Sequence, residues 1–456
     1  MRQFDAIVIG AGQAGPSLAG KLTQNGLKTA LIERHKLGGT CVNVGCIPTK
    51  TLVASARVAQ LARRAADFGI ETGDVKVDMA RVKARMNTVR GDSSQGLTTW
   101  LENMNGLEVI RGHARFIGER RIDVDGEILE AEKVFINVGA RSRVPDIPGL
   151  ADIPYMTNST ILELDALPEH LVILGGSYIG LEFAQIYRRF GSEVTVVERS
   201  NRLIPREDPD VSAAVLEILE SEGIRFELGA ECVGFEKRDH GVQITASCDG
   251  DPRLVEGTHL LLAVGRMPNT DSLGLDRAGI AVNAQGLIEV DDELRTSAEN
   301  VWALGEVNGR GSFTHTAYND FEIVAANLFS QQPRSVADRT DCYALFVDPP
   351  LGRVGLTEAS ARAAGYSVGV GKLKMSQVGR AREFGETQGF MKVVVDAESE
   401  KILGAAILGL SGDEAIHCII DAMNADLPYT SLQRSMHIHP TVAELIPSVF
   451  GDLEFS

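Results

Sequence analysis

The chain has 456 residues, more than one hydrophobic core usually organises, so roughly two to four domains follow from size alone. Its 44% apolar content fills globular cores, no apolar run approaches the roughly 20 residues of a membrane-spanning helix, and a net charge of -17 without a long basic cluster argues against nucleic acid as a partner. Six cysteines in this length, with no basic leader before an apolar run, read as a soluble chain of a reducing, cytoplasmic compartment and not as a secreted disulfide scaffold.

The N-terminus, "FDAIVIGAGQAG", is an apolar strand that runs into Gly10, Gly12 and Gly15. "PSLAGKLTQNG" follows with helical spacing, and "KTALIE" is a second strand ending at Glu33. This is the order of a dinucleotide fold: the glycines permit a tight turn, the helix start offers amides and positive dipole to a pyrophosphate, and the acid accepts from ribose hydroxyls.

Next comes "GGTCVNVGCIPTK", with Cys41 and Cys46 five positions apart. Structural zinc takes four ligands, usually from closer pairs, and nothing nearby supplies a second pair, so no metal is assigned. A staple would close only a tiny loop in a reducing compartment. A working redox pair is what is left. Residues five apart on a regular helix lie about 7.5 Å apart along its axis, beyond the reach of a disulfide, so the segment is expected to be irregular. Gly38, Gly39 and Gly45 permit that, and Pro48 fits the first turn of the helix that "TKTLVASARVAQLARRAA" continues. A thiolate near that helix start is stabilised and exchanges fast.

Further along, "LVILGGSYIGLEFAQIYRRFGSEVTVVE" repeats the first unit, with Gly175, Gly176 and Gly180 at the turn and Glu198 closing the strand. The separation from Gly10 to Glu33 equals that from Gly175 to Glu198. Turns that merely packed strand on helix would not keep turn, helix, strand and acid in register twice, so two dinucleotides are implied. Ser177 stands where the middle glycine of the second copy is usual. After Tyr343, "FVDPPLGRVGLTEASARAAG" and "FMKVVVDAESEKILGAAILG" alternate strands with a helix, as in an α+β module with an antiparallel sheet. Cys232, Cys248, Cys342 and Cys418 lack ligand spacing and read as buried thiols, and His417 and His437 read as structural.

Taken together, the cysteine segment, the duplicated unit and the C-terminal "HIHPTVAE" resemble the flavin-dependent pyridine nucleotide-disulfide oxidoreductases, the class I group of glutathione reductase, dihydrolipoamide dehydrogenase and mercuric reductase. The resemblance covers nearly the whole chain and extends to "FINVGARSRVPDIPG", "AVGRMPN" and "VWALGEVNG". It implies an α/β fold with two Rossmann-like dinucleotide-binding domains, for FAD at 1–148 and 271–339 and for NAD(P) at 149–270. A C-terminal α+β dimerisation domain follows at 340–456, with "VPDIPGL" and "GRMPNT" marking the crossings.

Carried over by motif, the resemblance makes Cys46 the thiol against the flavin and Cys41 the thiol that exchanges with substrate. It puts Lys50 near flavin N5 and paired with Glu182, makes Tyr178 a gate to the nicotinamide pocket, and makes His439 the acid/base, oriented by Glu444 and acting on the cysteines of the other subunit of a homodimer. Cofactor contacts are implied at Gly10, Gly12, Gly15, Glu33, Arg34, Gly39, Thr40, Lys50, Ala114, Gly139, Glu306 and Thr314, and at Gly175, Gly176, Ser177, Tyr178, Ile179, Gly180, Glu198, Arg199 and Gly265. Two departures stand out: Glu306 replaces an aspartate that contacts the ribityl chain, its extra methylene moving the carboxylate, and Asn137 with Val138 replaces an Ala/Ser-Thr pair.

The implied chemistry passes hydride from nicotinamide to flavin and two electrons into the Cys41/Cys46 disulfide, after which Cys41 attacks a disulfide or related oxidised substrate. Glu198 at the second ribose position favours NAD over NADP, with Arg199 and Arg202 as possible phosphate clamps. The chain looks closest to mercuric-reductase-like members, yet it has no cysteine after Cys418 and no metal-binding module before the flavin unit, which disfavours mercury. Its first helix has only Lys21 to hold glutathione carboxylates; neutral lipoamide fits better. The alternatives are a quinone or metal-ion reductase that bypasses the disulfide, and a redox-sensing flavoprotein.

Overall fold

The computed structural model describes residues 1–248 and 251–455. The chain forms two compact units, Met1–Thr51 with Ala80–Arg143 and Gly265–Arg339, and Leu52–Met79 with Val144–Val264 and Thr340–Ser456.

In the first unit the strand Arg2–Ile9 is central. It runs parallel to Thr29–Glu33 on one side and to Glu127–Ile136 on the other. Leu107–Arg111 and Val301–Ala303 extend the sheet in parallel, and the antiparallel strands Ala114–Gly118 and Arg121–Val124 close its far edge. Ala6 and Val8 pack with Leu18 and Leu22 of the Ala14–Gln24 helix, while Ile7 and Ile9 pack with Phe116 and Ile122 on the opposite face. Burial on both faces is why this strand reads as an unbroken apolar run and not as an alternation. The strands Ala140–Ser142 and Arg266–Pro268 pair antiparallel, which ties together the two passes by which the chain leaves and re-enters this unit.

The second unit carries the repeat of the dinucleotide pattern: four parallel strands in the order Arg225–Glu227, Glu193–Val197, His170–Leu174, His259–Leu262. The helix Tyr178–Phe190 follows its glycine turn. From Cys342 onward the chain builds a six-stranded antiparallel sheet in which Phe390–Asp396 and Ile402–Leu408 are buried along their whole length. The mixed α/β fold with an α+β C-terminal module is therefore as the pattern of elements predicted. Among the described residues no helix is long and apolar enough to cross a membrane.

One face of the Tyr178–Phe190 helix is laced to residues 343–348. Tyr178, Glu182, Gln185 and Arg189 recur at spacings of three and four and so share a stripe. Tyr178 meets Tyr343 edge-on at 5.6 Å, and Glu182 accepts the Phe346 N–H at 3.1 Å. Gln185 bonds both the N–H and the C=O of Asp348 at 2.7 Å, and Arg189 pairs with the Asp348 carboxylate at 2.5 Å.

Candidate active site

The two glycine turns have the same construction. At Gly10 φ is +101° and an added Cβ would lie 2.3 Å from the Asn137 carbonyl oxygen; at Gly175 φ is +112° and it would lie 2.5 Å from that of Ala263. At Gly15 and Gly180 a Cβ would come within 2.2 and 2.1 Å of the carbonyl oxygens of Gly10 and Gly175. No side chain fits at these positions, so each helix start stays open to close backbone approach by a ligand.

The closing acids match as well. Glu33 accepts the amides of Ala11 (2.9 Å) and His35 (2.8 Å), and Glu198 those of Gly176 (2.6 Å) and Ser200 (2.7 Å). Each carboxylate is thereby fixed at the rim of its turn. Ser177 has extended backbone (φ −116°, ψ −173°), which any residue adopts, and its hydroxyl caps no amide of the helix it precedes. The substitution costs the second turn nothing in backbone conformation. Tyr178, the first residue of that helix, has its phenol pushed up to about 12 by burial and stays neutral. Arg199 is exposed without a described partner, and Arg202 donates to the Pro205 carbonyl at 2.8 Å.

Irregularity in the cysteine segment sits at Gly45, which separates the short helix Gly39–Val44 from the helix Cys46–Arg63. A Cβ there would be 2.9 Å from the Thr40 carbonyl oxygen. The start of the segment rests on the first glycine turn, since Gly38 N–H donates to the Ala11 carbonyl (2.8 Å) and a Cβ on Gly39 would meet Gly12 Cα at 2.8 Å. Cys41 and Cys46 are both thiols, with no disulfide between them. The Cys41 thiol is driven well above the ordinary cysteine range, first by its hydrogen bond with Cys46, then by burial; Thr314 and the Lys50 ammonium oppose this. Cys46 Sγ lies 3.2 Å from Thr314 Oγ1. Thr314 opens the helix Thr314–Phe329, so the dithiol lies between two helix starts, each with positive dipole. Thr314, which the resemblance implies as a cofactor contact, is thus against the sulfurs.

Asn137 resolves one departure. Its Oδ1 accepts the Gly15 N–H at 3.0 Å and its Nδ2 donates to the Leu304 carbonyl at 2.9 Å, so the amide joins the first turn to the returning segment. Glu306 has a partner that the sequence did not suggest: Arg266 Nε at 2.7 Å, with the other arm of Arg266 on the Ala140 carbonyl at 2.6 Å. Its longer side chain serves that pair. Asp320, also not anticipated, is 2% exposed, accepts from Gly305 N–H and Asn308, and pairs with Arg339.

The remaining expected residues lie as follows. Arg34 and Thr40 are exposed, Ala114 is buried in register with Val124, and Gly139 and Gly265 take positive φ with nothing crowding them. Ile179 is half-buried. Lys50 and Glu182 fall in different units. His439 Nδ1 is 2.7 Å from Glu444 Oε2, and the histidine side chain is 81% exposed against 11% for the glutamate. His437, two residues earlier, has both ring nitrogens engaged, by Ser435 and by the Ala443 carbonyl. Cys232, Cys342 and Cys418 are half-buried thiols; the side chain of Cys248 lies outside the described residues. Among the described residues no group of three or more His, Cys, Asp or Glu is arranged to hold a metal ion.

Comparison with known proteins places this arrangement. Residues 4–320 match the family model described as pyridine nucleotide-disulphide oxidoreductase, and residues 342–449 match the dimerisation domain of the same family. The chain is 38% identical over 459 residues to the probable pyridine nucleotide-disulfide oxidoreductase RclA of Escherichia coli, covering 99% of each chain. It is 33% identical over 441 residues to a mercuric reductase of Bacillus cereus, covering 97% of this chain and 70% of the relative. A solved structure of the HOCl-induced flavoprotein disulfide reductase RclA from Escherichia coli superposes with a TM-score of 0.90 at 37% identity, covering 98% of this chain and 99% of that one. With both glycine turns, the dithiol and the C-terminal module in place, the chain belongs to the FAD-dependent pyridine nucleotide-disulfide oxidoreductases.

Proposed function

We propose that the protein is a homodimeric reductase that uses NADH, in preference to NADPH, to reduce a small-molecule disulfide through Cys41 and Cys46. The observation that carries this reading is the placement of the two thiols between two helix starts, resting on the first glycine turn. FAD, when bound by that turn, supplies the two-electron step between nicotinamide and dithiol. Gly10, Gly12, Gly15 and Glu33 would hold its dinucleotide half.

The chain's own part begins with a thiolate on Cys46, which the helix start and Thr314 favour. Cys41 gives its proton to His439 of the partner subunit and attacks one sulfur of the substrate disulfide. As the Cys41–substrate bond forms the substrate S–S bond breaks, and the leaving thiolate takes the proton back. The Cys46 thiolate then attacks Cys41 Sγ, expels the second half of the substrate as a thiolate and closes the Cys41–Cys46 disulfide. The pair has lost two electrons and the substrate has gained them. On the coenzyme side, admitting a 2'-phosphate would require Glu198 to give up both of its amide hydrogen bonds, which supports NAD.

Anaerobic stopped-flow with NADH and NADPH, followed by steady-state turnover on disulfides, quinones and metal ions, tests the proposal with Cys46→Ser and Cys41→Ser. Each variant should keep flavin reduction by coenzyme and lose disulfide turnover to background. If Cys46→Ser retains most turnover on the best substrate, the dithiol route is refuted in favour of a quinone or metal-ion reductase.

A further inference from the structure

The helix that begins at Cys46 ends at Arg63, and its last turns, with the end of the Tyr178–Phe190 helix and residues 385–388, line a cavity of about 530 Å³ within the second unit. Five of its lining side chains are arginines, 57, 63, 64, 188 and 189, against the three carboxylates of Glu222, Asp348 and Glu386. In a chain of net charge -17 this local excess of positive charge runs against the background.

The five are not equivalent. Arg189, 5% exposed, pairs with Glu222 at 2.6 Å and Asp348 at 2.5 Å, and Arg57 pairs with Asp348 and with Glu386 at 2.8 Å. Those two cations and three acids form a closed network. Arg64 reaches the Gly385 carbonyl at 2.8 Å and, at 3.4 Å, the exposed Asp67. Arg63 and Arg188 donate to main-chain carbonyls: Arg63 to Arg189 at 2.6 Å, Arg188 to Glu222 at 2.7 Å and to Ser192 at 3.3 Å. Neither forms an ion pair with a carboxylate among the described residues, though the charge of Arg188 acts on the exposed Glu193, which lies outside the cavity lining. A guanidinium has five N–H donors in a fixed fork that matches planar or tetrahedral oxyanions, so each keeps donors for a ligand. The carbonyl bonds hold both forks in place beforehand, which lowers the ordering cost of binding.

We propose that this cavity binds a small multivalent anion, bearing a phosphate group or two or more carboxylates, through Arg63 and Arg188. The site calls on none of the residues of the proposed reaction and stands or falls apart from it. Isothermal titration of the FAD-loaded full chain, saturated with the oxidised nicotinamide coenzyme that supports turnover and held at constant ionic strength, tests it with inorganic phosphate, citrate and acetate. The result expected is one saturable site per chain for phosphate or citrate, at least tenfold tighter than for acetate; which of the two binds tighter identifies the ligand group. Arg63→Gln with Arg188→Gln should weaken binding at least tenfold, and Arg63→Lys with Arg188→Lys, which keeps the charge and loses the fork, should fall between. Arg277→Gln with Lys237→Gln, an equal loss of charge at exposed positions outside the cavity, should leave affinity unchanged. No saturable heat, equal affinity for acetate, or equal loss in the exposed-charge control would each overturn the proposal.

Discussion

Asn137 is the residue whose removal best tests the account of the first glycine turn. It is 6% exposed, and its amide is the described side-chain partner of both the Gly15 N–H and the Leu304 carbonyl. The Gly15 N–H belongs to the first turn of the Ala14–Gln24 helix, where amides have no partner within the helix. Asn137→Ala leaves a buried donor and a buried acceptor unsatisfied at about 1–3 kcal/mol each, or about 2–6 kcal/mol for the pair, a large share of a net stability of about 5–15 kcal/mol. Because a chain of several folding units has no single unfolding free energy, the readout should be local. Amide exchange in the peptide containing Gly15 should speed up by roughly thirtyfold or more, the equivalent of about 2 kcal/mol, and FAD should dissociate at least about tenfold more readily. Asn25→Ala serves as control, since its side chain bonds the Lys21 carbonyl at the exposed end of the same helix. If the two variants exchange and hold flavin alike, Asn137 does not brace the turn.

Thr314→Val removes the hydroxyl from Cys46; a hydrogen bond to a charged group contributes about 1.5–3 kcal/mol, so the pH profile for iodoacetamide alkylation of the reduced protein should move up by about one to two units, and an unmoved profile would count against the contact. His439→Gln should lower disulfide turnover by about a hundredfold to ten-thousandfold while flavin reduction by coenzyme keeps its rate; a parallel loss in both half-reactions would point to misfolding. Glu198→Ala frees the second turn to accept a 2'-phosphate, so the ratio of kcat/KM for NADPH to that for NADH should rise at least about tenfold, and a wild type already indifferent to the two coenzymes would contradict the reading.

The parts of this site that the sequence disclosed are those governed by local chain rules. Gly10 and Gly175 need positive φ, Gly15 and Gly180 need the absence of a Cβ, and Gly45 is where two helices must break for Cys41 to reach Cys46. Each is legible because the constraint lies within a few residues. What was not legible depends on partners brought in from far along the chain. Thr314 meets Cys46 across 268 positions, and nothing in "THTAYND" announces a thiol contact. Glu306 reads in sequence as a carboxylate out of place, yet Arg266, 40 positions earlier, gives its longer side chain a partner. Asn137 reads in sequence only as part of a departure from an Ala/Ser-Thr pair, whereas its amide bonds in two directions.

The state of the two thiols also bears on the proposed role of a histidine from the C-terminal segment. Cys41 is driven to hold its proton by its hydrogen bond with Cys46 and by burial, against the opposing effects of Thr314 and Lys50. Exchange with a disulfide nonetheless needs a thiolate on the attacking sulfur. Lys50 lowers the cost of that charge but, as an ammonium, accepts no proton, and the Thr314 hydroxyl is no base. The proposed reaction assigns the base to the C-terminal segment, which offers two histidines with opposite situations. His437 has both ring nitrogens committed to its own loop. His439 has, among the described residues, only Nδ1 committed, to a largely buried carboxylate that fixes the ring, and its side chain is 81% exposed. In the proposed reaction it is therefore His439, and not His437, that would take the proton of Cys41 in the partner subunit.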